Sequence, residues 1–288
     1  MKRVEIQSCV ICKKKQYLIF KYQSFEFYKC SNCQLVSTYP FPSDLQIKKH
    51  YQDGFSKRNY KIKREYAIQY IEVYKQIANI LDKELDGKLK SKKVLDVGCF
   101  TGEFLEILNK RGADVRGIEL QEEAVKIANR KLPGKIIQAD LNNYKIKKEK
   151  FDVITLLGII EHIKDPLSLL KQCHDLLNKD GIILIQTPNS SSLIAKTFRQ
   201  FWPPYSPVEH IHLFGRKSML KAFELSGFNE TSFKNHWKKL PVGYVYQMLE
   251  VFGPEFKKAL NPVAKVINKS KISLPFYVGE MIIIGRKK

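Results

Sequence analysis

Apolar positions in the middle of the chain fall into short blocks whose spacing alternates between that of a strand and that of a helix. Residues 94–97 form an apolar run that ends at Gly98, and apolar side chains then recur at helical spacing over residues 104–108, before Gly112. A second apolar run covers residues 113–118. This order predicts a strand, a glycine turn, a helix and a second strand, which is the repeating unit of an α/β fold.

The same alternation continues on both sides of this unit. It predicts helices over residues 61–85, 121–131 and 218–228 and one that begins at Pro166, and it predicts strands over residues 135–139, 151–157, 182–186, 231–235 and 279–285. The run at 151–157 is continuously apolar, as expected for a central strand that is covered on both faces.

Four of the six cysteines are paired at the N-terminal end, as Cys9-x-x-Cys12 and Cys30-x-x-Cys33. This spacing is typical of a zinc ribbon, in which two knuckles supply four thiolates to a closed, structural Zn²⁺ site. In a cytosolic chain disulfides would be reduced, which favours the metal. We interpret the other two, Cys99 and Cys173, as small buried hydrophobic residues.

Composition adds a large basic excess. The 288 residues carry a formal charge of +21, and lysines spread in small groups supply most of it. Because base and phosphate recognition favours arginine, solvated lysine faces are the main interpretation, and an anionic partner is the alternative. No apolar run approaches the ~20 residues of a membrane helix, and no secretory segment follows Met1, so we expect a soluble, cytoplasmic protein.

An acidic residue, Glu119, ends the second predicted strand. Open α/β sheets bind ligands at the carboxyl ends of their strands, where a carboxylate can accept the hydroxyls of a ribose. A dinucleotide-binding turn is G-x-G-x-x-G, whereas this turn is G-x-x-x-G with Phe100 inside it. The carboxylate of Asp96 would repel a phosphate, whereas it would attract a ligand that carries an amino group and a sulfonium. The alternatives are a dinucleotide site and a plain core turn.

These residues resemble the first motif of class I S-adenosylmethionine-dependent methyltransferases, usually D-x-G-x-G-x-G, with Phe100 as the departure. The resemblance implies a doubly wound, mostly parallel seven-stranded α/β sheet. It also implies that the cofactor contacts a set of residues at the strand ends, with an acid beside the adenine amino group: Asp96, Gly98, Gly102, Glu119, Leu120, Asp140, Leu141 and Leu157.

Residues 157–166 resemble the fourth motif of small-molecule methyltransferases, including the ubiquinone-biosynthesis O-methyltransferases. Methyl transfer to a hydroxyl needs a base that titrates near neutrality, which is a property of histidine. His162 in this motif and His210 in a proline-rich segment that we interpret as a lid, residues 201–214, are the two candidates. The alternative for Glu161 and His162 is that they only position the next helix.

Taken as a whole, the chain resembles zinc-ribbon methyltransferases of sugar and secondary-metabolite pathways. The predicted division is a ribbon (1–45), a linker and covering helix (46–90), a cofactor-binding core (91–235), and an aromatic insertion with a final strand (236–288). The predicted function is O-methylation of a small molecule, a sugar or glycan precursor first. The alternatives are RNA methylation, which would make binding steeply salt-dependent, and a scaffold protein without catalysis. The insertion could shape the acceptor pocket or contact a membrane surface.

Overall fold

The computed structural model describes residues 8–43, 45–47, 67–141, 149–242 and 272–287. Its strands are β1 (Gln16–Tyr22), β2 (Phe25–Cys30), β3 (Val36–Tyr39), β4 (Lys93–Val97), β5 (Asp114–Glu119), β6 (Ile136–Gln138), β7 (Phe151–Leu157), β8 (Leu177–Pro188), β9 (His212–Leu213), β10 (Phe228–Pro241) and β11 (Ser273–Lys287). Its α-helices are α1 (Ala67–Glu84), α2 (Glu103–Lys110), α3 (Glu122–Lys131), α4 (Pro166–Leu176), α5 (Leu193–Phe198) and α6 (Arg216–Ser226).

Seven strands form the main sheet, in the order β10-β11-β8-β7-β4-β5-β6. The five strands from β8 to β6 in this order are parallel, and β11 is antiparallel to both of its neighbours. The predicted α/β fold with a mostly parallel seven-stranded sheet is confirmed. Because the order reverses on either side of β4, the carboxyl ends of β4, β5 and β7 border one cleft.

Both faces of the sheet are covered, which explains the continuous apolar character of β7. One apolar cluster contains residues of α1, α2 and α3, among them Leu81 and Leu105. The other joins α4 and α6 to the cysteine-rich N-terminal segment, through residues such as Leu170, Phe223 and Leu35. The N-terminal segment therefore shares a core with the sheet.

The start of α4 has the capping residues that the sequence indicates. The Asp165 side chain accepts a hydrogen bond from the Ser168 amide, and Pro166 occupies the first turn, where its missing N–H costs nothing. The helix then carries Leu169, Leu170 and Cys173 into the core.

The last two strands are longer than predicted. β10 runs through residue 241 and β11 begins at residue 273, because the hairpin continues beyond the end of β8 with pairs such as Trp237 to Tyr277. β10 therefore crosses the boundary predicted at residue 235. Most of the predicted aromatic insertion, residues 243–271, lies outside the described residues, as does the start of the predicted helix at 61–85. Among the described residues, no helix has the length and apolarity needed to cross a membrane.

A second, smaller sheet ties the predicted lid to the N-terminal segment. Its order is β1-β2-β3-β9, and β9 comes from the proline-rich segment. Val36 pairs with Leu213 and Ser37 with His212. Below this pairing, the ring of Tyr205 meets the rings of Phe20 and Phe27 edge-on at 4.9 and 5.2 Å. The segment 201–214 is thus packed between the two sheets, unlike an open flap.

Candidate functional site

The turn after β4 has the backbone that its glycines permit. Gly98 and Gly102 adopt left-handed conformations, with φ of 74° and 80°. A Cβ on Gly98 would lie 2.2 Å from Cδ1 of Ile159, and one on Gly102 would lie 3.1 Å from Cβ of Ala128. A larger residue at either position would have a strained backbone and would displace the neighbouring side chain.

Phe100, the departure from the family motif, also has a left-handed backbone, with φ of 49°. This conformation is uncommon for a residue with a bulky side chain. The turn therefore follows the path that a glycine would take at residue 100, and the substitution changes the side chain in the turn without changing its course.

Glu119 stands at the end of β5 with its carboxylate held by backbone amides. Oε2 accepts a hydrogen bond from the Phe100 amide at 3.0 Å, and Oε1 accepts from the Leu120 and Gln121 amides at 2.8 and 2.9 Å. The residue is 8% exposed. Because a carboxylate has about four acceptor positions, these bonds fix its orientation and leave one position for a ligand hydroxyl.

Asp96 is the second acid of the cleft, and it is only 3% exposed. Burial raises the pKa of Asp96 to about 7, a hydrogen bond from Thr155 Oγ1 at 2.6 Å works against that rise, and the charge of Glu119 adds to it. A cationic group in this cleft would favour the ionised form. Thr155 was not predicted from the sequence, because its place beside Asp96 depends on the register of β7 against β4.

The other predicted cofactor residues lie at the same edge of the sheet. Leu120 directly follows β5, Asp140 and Leu141 follow β6, and Leu157 ends β7. Leu120 is exposed, whereas Leu141 is buried. The fold thus brings to one edge all the residues that the resemblance implies, and their individual roles stay predictions.

The two predicted histidines lie next to each other, although they are 48 positions apart in the sequence. Their ring centroids are 5.0 Å apart. His162 donates from Nδ1 to the carbonyl of Glu209, and His210 donates from Nδ1 to the carbonyl of Pro204 at 2.8 Å. The pair lies beside the carboxyl end of β7. A role of either histidine as the base stays a prediction.

Glu161 holds this region together. Its backbone carbonyl accepts from the Ile211 amide at 2.9 Å, and its carboxylate accepts from Thr187 Oγ1 at 2.9 Å. The nearby His212 is fully buried, and Oγ of Ser37 lies 2.9 Å from its Nδ1. Burial lowers the pKa of His212 to about 4, so this histidine is neutral.

A cluster of polar residues at the far side of the edge was missed by sequence reasoning. The Glu280 carboxylate binds Nζ of Lys238 and Nε2 of Gln186, both at 2.5 Å. Burial opposes ionisation, but Lys238 and His236 outweigh it and lower the pKa of Glu280 to about 2. The three strands that supply these residues meet only through long-range pairing, and no local signal marks them.

The four N-terminal thiols converge as the zinc-ribbon spacing predicts. Sγ atoms of Cys9 and Cys33 are 3.5 Å apart, those of Cys12 and Cys30 are 3.4 Å apart, and all four lie within 4.8 Å of one another. With Zn–S bonds of about 2.3 Å, tetrahedral thiolates would be separated by about 3.8 Å, so the set fits the ion. A hydrogen bond from Cys33 lowers the pKa of Cys9 to about 5.

The two halves of this cluster repeat one backbone design. In each, the first cysteine carbonyl accepts from the amide four residues later, Lys13 or Gln34, and the first cysteine amide donates to the carbonyl five residues later. Lys13 and Gln34 both have left-handed backbones, with φ of 59° and 66°. Such repeated knuckles direct four sulfur atoms to one point.

Comparison with known proteins agrees with this geometry. The profile of a family described as "Methyltransferase domain" matches residues 66–232, more than half of the chain. The chain belongs to this methyltransferase family. The recognition of the family from its motifs is therefore confirmed.

Relatives of this methyltransferase match over part of their length. The ubiquinone biosynthesis O-methyltransferase of Actinobacillus pleuropneumoniae serotype 7 is 37% identical over 111 residues, which cover 35% of this chain and 47% of that enzyme. The enzyme of the same name from Idiomarina loihiensis is 28% identical over 162 residues, covering 52% and 66%. The chain thus spans about half the length of the first of these relatives.

Solved structures support the fold. Magnesium protoporphyrin IX methyltransferase from Synechocystis PCC 6803, with bound SAH, has a TM-score of 0.54 at 14% identity and covers 84% of this chain and 100% of its own. A SAM-dependent methyltransferase from Thermotoga maritima has a TM-score of 0.53 at 17% identity, covering 80% and 96%. At these sequence identities, the similarity shows a shared fold and nothing more.

Proposed function

We propose that this methyltransferase binds S-adenosylmethionine in the cleft between β4 and β5 and transfers its methyl group to a hydroxyl of a small-molecule acceptor. The observation that carries the proposal is the pair of buried acids, Asp96 and Glu119, at the ends of these adjacent strands. A dinucleotide would place phosphates near Asp96, whereas S-adenosylmethionine brings an ammonium and a sulfonium.

The residues of the cleft have separate tasks. Glu119 would accept a ribose hydroxyl at the acceptor position that its backbone bonds leave, and Asp96 would attract the cationic part of the molecule. The acid Asp140, with Leu141, would contact the adenine, and Leu120 and Leu157 would border the ligand. When bound, S-adenosylmethionine supplies an electrophilic methyl group on a positively charged sulfur.

On the acceptor side, the pair His162 and His210 would contact the hydroxyl that receives the methyl group. In the neutral form of each ring, Nε2 is the acceptor nitrogen, because Nδ1 donates to a carbonyl. Methyl transfer depends mainly on alignment in a dry pocket, and the packed segment 201–214 would exclude water there.

For the acceptor, the names of the relatives favour a phenolic hydroxyl on a quinol-type ring. The resemblance to sugar-pathway enzymes makes a sugar or glycan precursor the second acceptor to test. We further propose that Cys9, Cys12, Cys30 and Cys33 bind one structural Zn²⁺, which stabilises a segment too small to form its own core.

Transfer of a radiolabelled methyl group from S-adenosylmethionine tests the proposal, with hydroxylated quinols, sugar nucleotides, lipid-linked glycans and RNA as acceptors. We expect labelling of a small-molecule hydroxyl, and loss of cofactor binding in Glu119→Ala. Glu123→Ala, on the exposed face of α3, is the matched control and should behave as the wild type. Tight binding of NAD with no binding of S-adenosylmethionine would refute the proposal, and labelling of RNA alone would refute its acceptor.

A further inference from the structure

Polar side chains follow one face of the main sheet from the cofactor cleft toward β10. The apolar cluster that contains residues of α1, α2 and α3 includes side chains of β4, β8 and β11. Alternate residues of a strand share a face, so the next positions toward the carboxyl edge lie on that face too. These positions are Asp96, Gln186 and Glu280. The buried acid of the cleft and the polar cluster around Glu280 therefore lie on the same side of the sheet.

This cluster is organised by one carboxylate. Oε1 of Glu280 accepts from Nζ of Lys238, Oε2 accepts from Nε2 of Gln186, and Nδ1 of His236 lies 3.4 Å from Oε2. The ladder between β10 and β11 shifts its register at His236. Such irregularities often redirect a side chain next to an active site. His236 thus meets Glu280 at a point where the regular pairing of β10 is interrupted.

His236 has a buried nitrogen that nothing satisfies. The residue is 2% exposed, and in the part of the chain that the structure describes neither ring nitrogen makes a hydrogen bond. Because a carboxylate can only accept, the proton of the neutral ring is on the Nδ1 that faces Glu280, and the lone pair is on Nε2. A buried polar atom without a partner is costly, which indicates that a polar group of a ligand completes the position of Nε2.

The charges of the cluster determine which group fits. An anionic group would meet the carboxylate of Glu280, which is charged because its pKa is about 2. An apolar chain would leave Nε2 of His236 without a partner. Lys238 has three N–H donors and uses one of them on Glu280. A neutral hydroxyl can donate to Nε2 of His236 and accept from Nζ of Lys238, so it satisfies both.

We propose that His236 and Lys238 bind a second hydroxyl of the acceptor, one that does not receive the methyl group, and that Glu280 orients both side chains. The proposal rests on the function proposed above. Two strands, β8 and β11, lie between β7 and β10, and neighbouring strands are about 4.8 Å apart, so this hydroxyl lies roughly 10 Å from the end of β7. Two hydroxyls on one six-membered ring are closer together than this. The acceptor therefore carries its second hydroxyl on another ring or on a substituent.

Arbutin and 4-methoxyphenol are a matched pair of probes for this site. Both have the same phenolic hydroxyl, and arbutin adds a glucose ring whose hydroxyls lie at the opposite end. Calorimetry on the full chain saturated with S-adenosylhomocysteine measures the affinity for each probe without turnover. We expect the wild type to bind arbutin about tenfold more tightly than 4-methoxyphenol, as one added hydrogen bond allows.

Two substitutions of His236 separate ligand binding from the contact with Glu280. In His236→Asn the amide can still donate to Glu280, but no atom occupies the position of Nε2, so the preference for arbutin should disappear. In His236→Gln the longer side chain brings an amide near that position and should keep part of the preference. His174→Asn, on α4, is the matched control and should bind both probes as the wild type does. The affinity for 4-methoxyphenol should be the same in all four proteins.

A wild type that does not bind arbutin, or that binds both probes equally, would overturn the proposal. So would a His236→Asn variant that keeps the preference, or one that loses affinity for both probes to the same degree, which is the behaviour of a purely structural residue. Binding of S-adenosylhomocysteine to the same samples reports on the cofactor site separately. Its absence would refute the proposed function and this inference with it, whereas intact binding without a preference for arbutin would refute the hydroxyl site alone.

Discussion

The affinity for S-adenosylmethionine should depend on pH through Asp96. Burial raises the pKa of this carboxyl to about 7, so near neutrality the unliganded protein holds it partly protonated. The cationic part of S-adenosylmethionine favours the ionised form. Binding should therefore release protons and become tighter as the pH rises through the pKa of Asp96.

The size of the effect follows from the ionised fraction. With a pKa of about 7, about one tenth of the carboxyl groups are ionised at pH ~6 and about three quarters at pH ~7.5. If only the ionised form binds, the affinity should rise about eightfold across this window. The α-amino group of the ligand has an ordinary pKa of about 7.7–8.0, so it loses part of its charge at the top of this window, and the rise should be reduced to about five- to sixfold.

Isothermal titration calorimetry in buffers with different ionisation enthalpies measures both the affinity and the number of protons released. Asp96→Asn is the control, because it should bind more weakly and lose the pH dependence. The same shift acts on stability with the opposite sign. The folded pKa lies above the unfolded value, so the free energy of unfolding falls from pH ~4 to ~7 by up to about 4 kcal/mol, and Asp96→Asn should lose that slope. An affinity that stays constant between pH 6 and 7.5, with no proton released, would refute the reasoning.

Three further substitutions have directions fixed by the structure. Gly98→Ala should weaken cofactor binding, because alanine is strained at a φ of 74° and its Cβ would displace the Ile159 side chain beside the turn; calorimetry checks this. Phe100→Gly should stabilise the fold by about 1 kcal/mol, since glycine removes the left-handed strain; urea denaturation checks it, and a loss of stability would contradict it. Tyr205→Ala should weaken the packing of segment 201–214 on the N-terminal sheet by about 3 kcal/mol, because it removes the ring that meets Phe20 and Phe27. Faster proteolysis near residue 205 is the measurement, and Tyr17→Ala, at an exposed position, is the control.

The strand, turn, helix and strand that border the proposed cofactor cleft could be predicted, because their signals are local. The apolar run before Gly98, the helical spacing after Gly102 and the acid that ends the next strand lie within one strand-turn-helix-strand unit. Hydrophobic periodicity and turn chemistry act over such distances. The bounds of β7 agree with the prediction for the same reason, because a strand that is covered on both faces is apolar along its length.

The arrangement of the proposed acceptor side could not be predicted in the same way, because it depends on pairing between distant segments. β9 has only two residues, too few for any periodic pattern, yet its pairing with β3 determines where His210 lies. The bond from Thr155 to Asp96 depends on the register of β7 against β4. The length of β10 was not predicted, because polar residues occupy most of its second half. Pairing with β11 nevertheless keeps that half in the strand.

The ribbon has a direct consequence for the site beyond its own stability. Pairing of β3 with β9 fixes His212, and the amide of Thr38 donates to the carbonyl of Ile211 at 2.9 Å. These bonds hold the residues that flank His210 on its C-terminal side, while the carbonyl of Pro204 orients its ring. A histidine on an unsupported loop would adopt many orientations. A histidine whose neighbours are held between two sheets keeps one orientation relative to His162. The cysteine-rich segment thus supports the region that we propose to bind the acceptor, which gives a physical reason for a ribbon packed on the core of this methyltransferase.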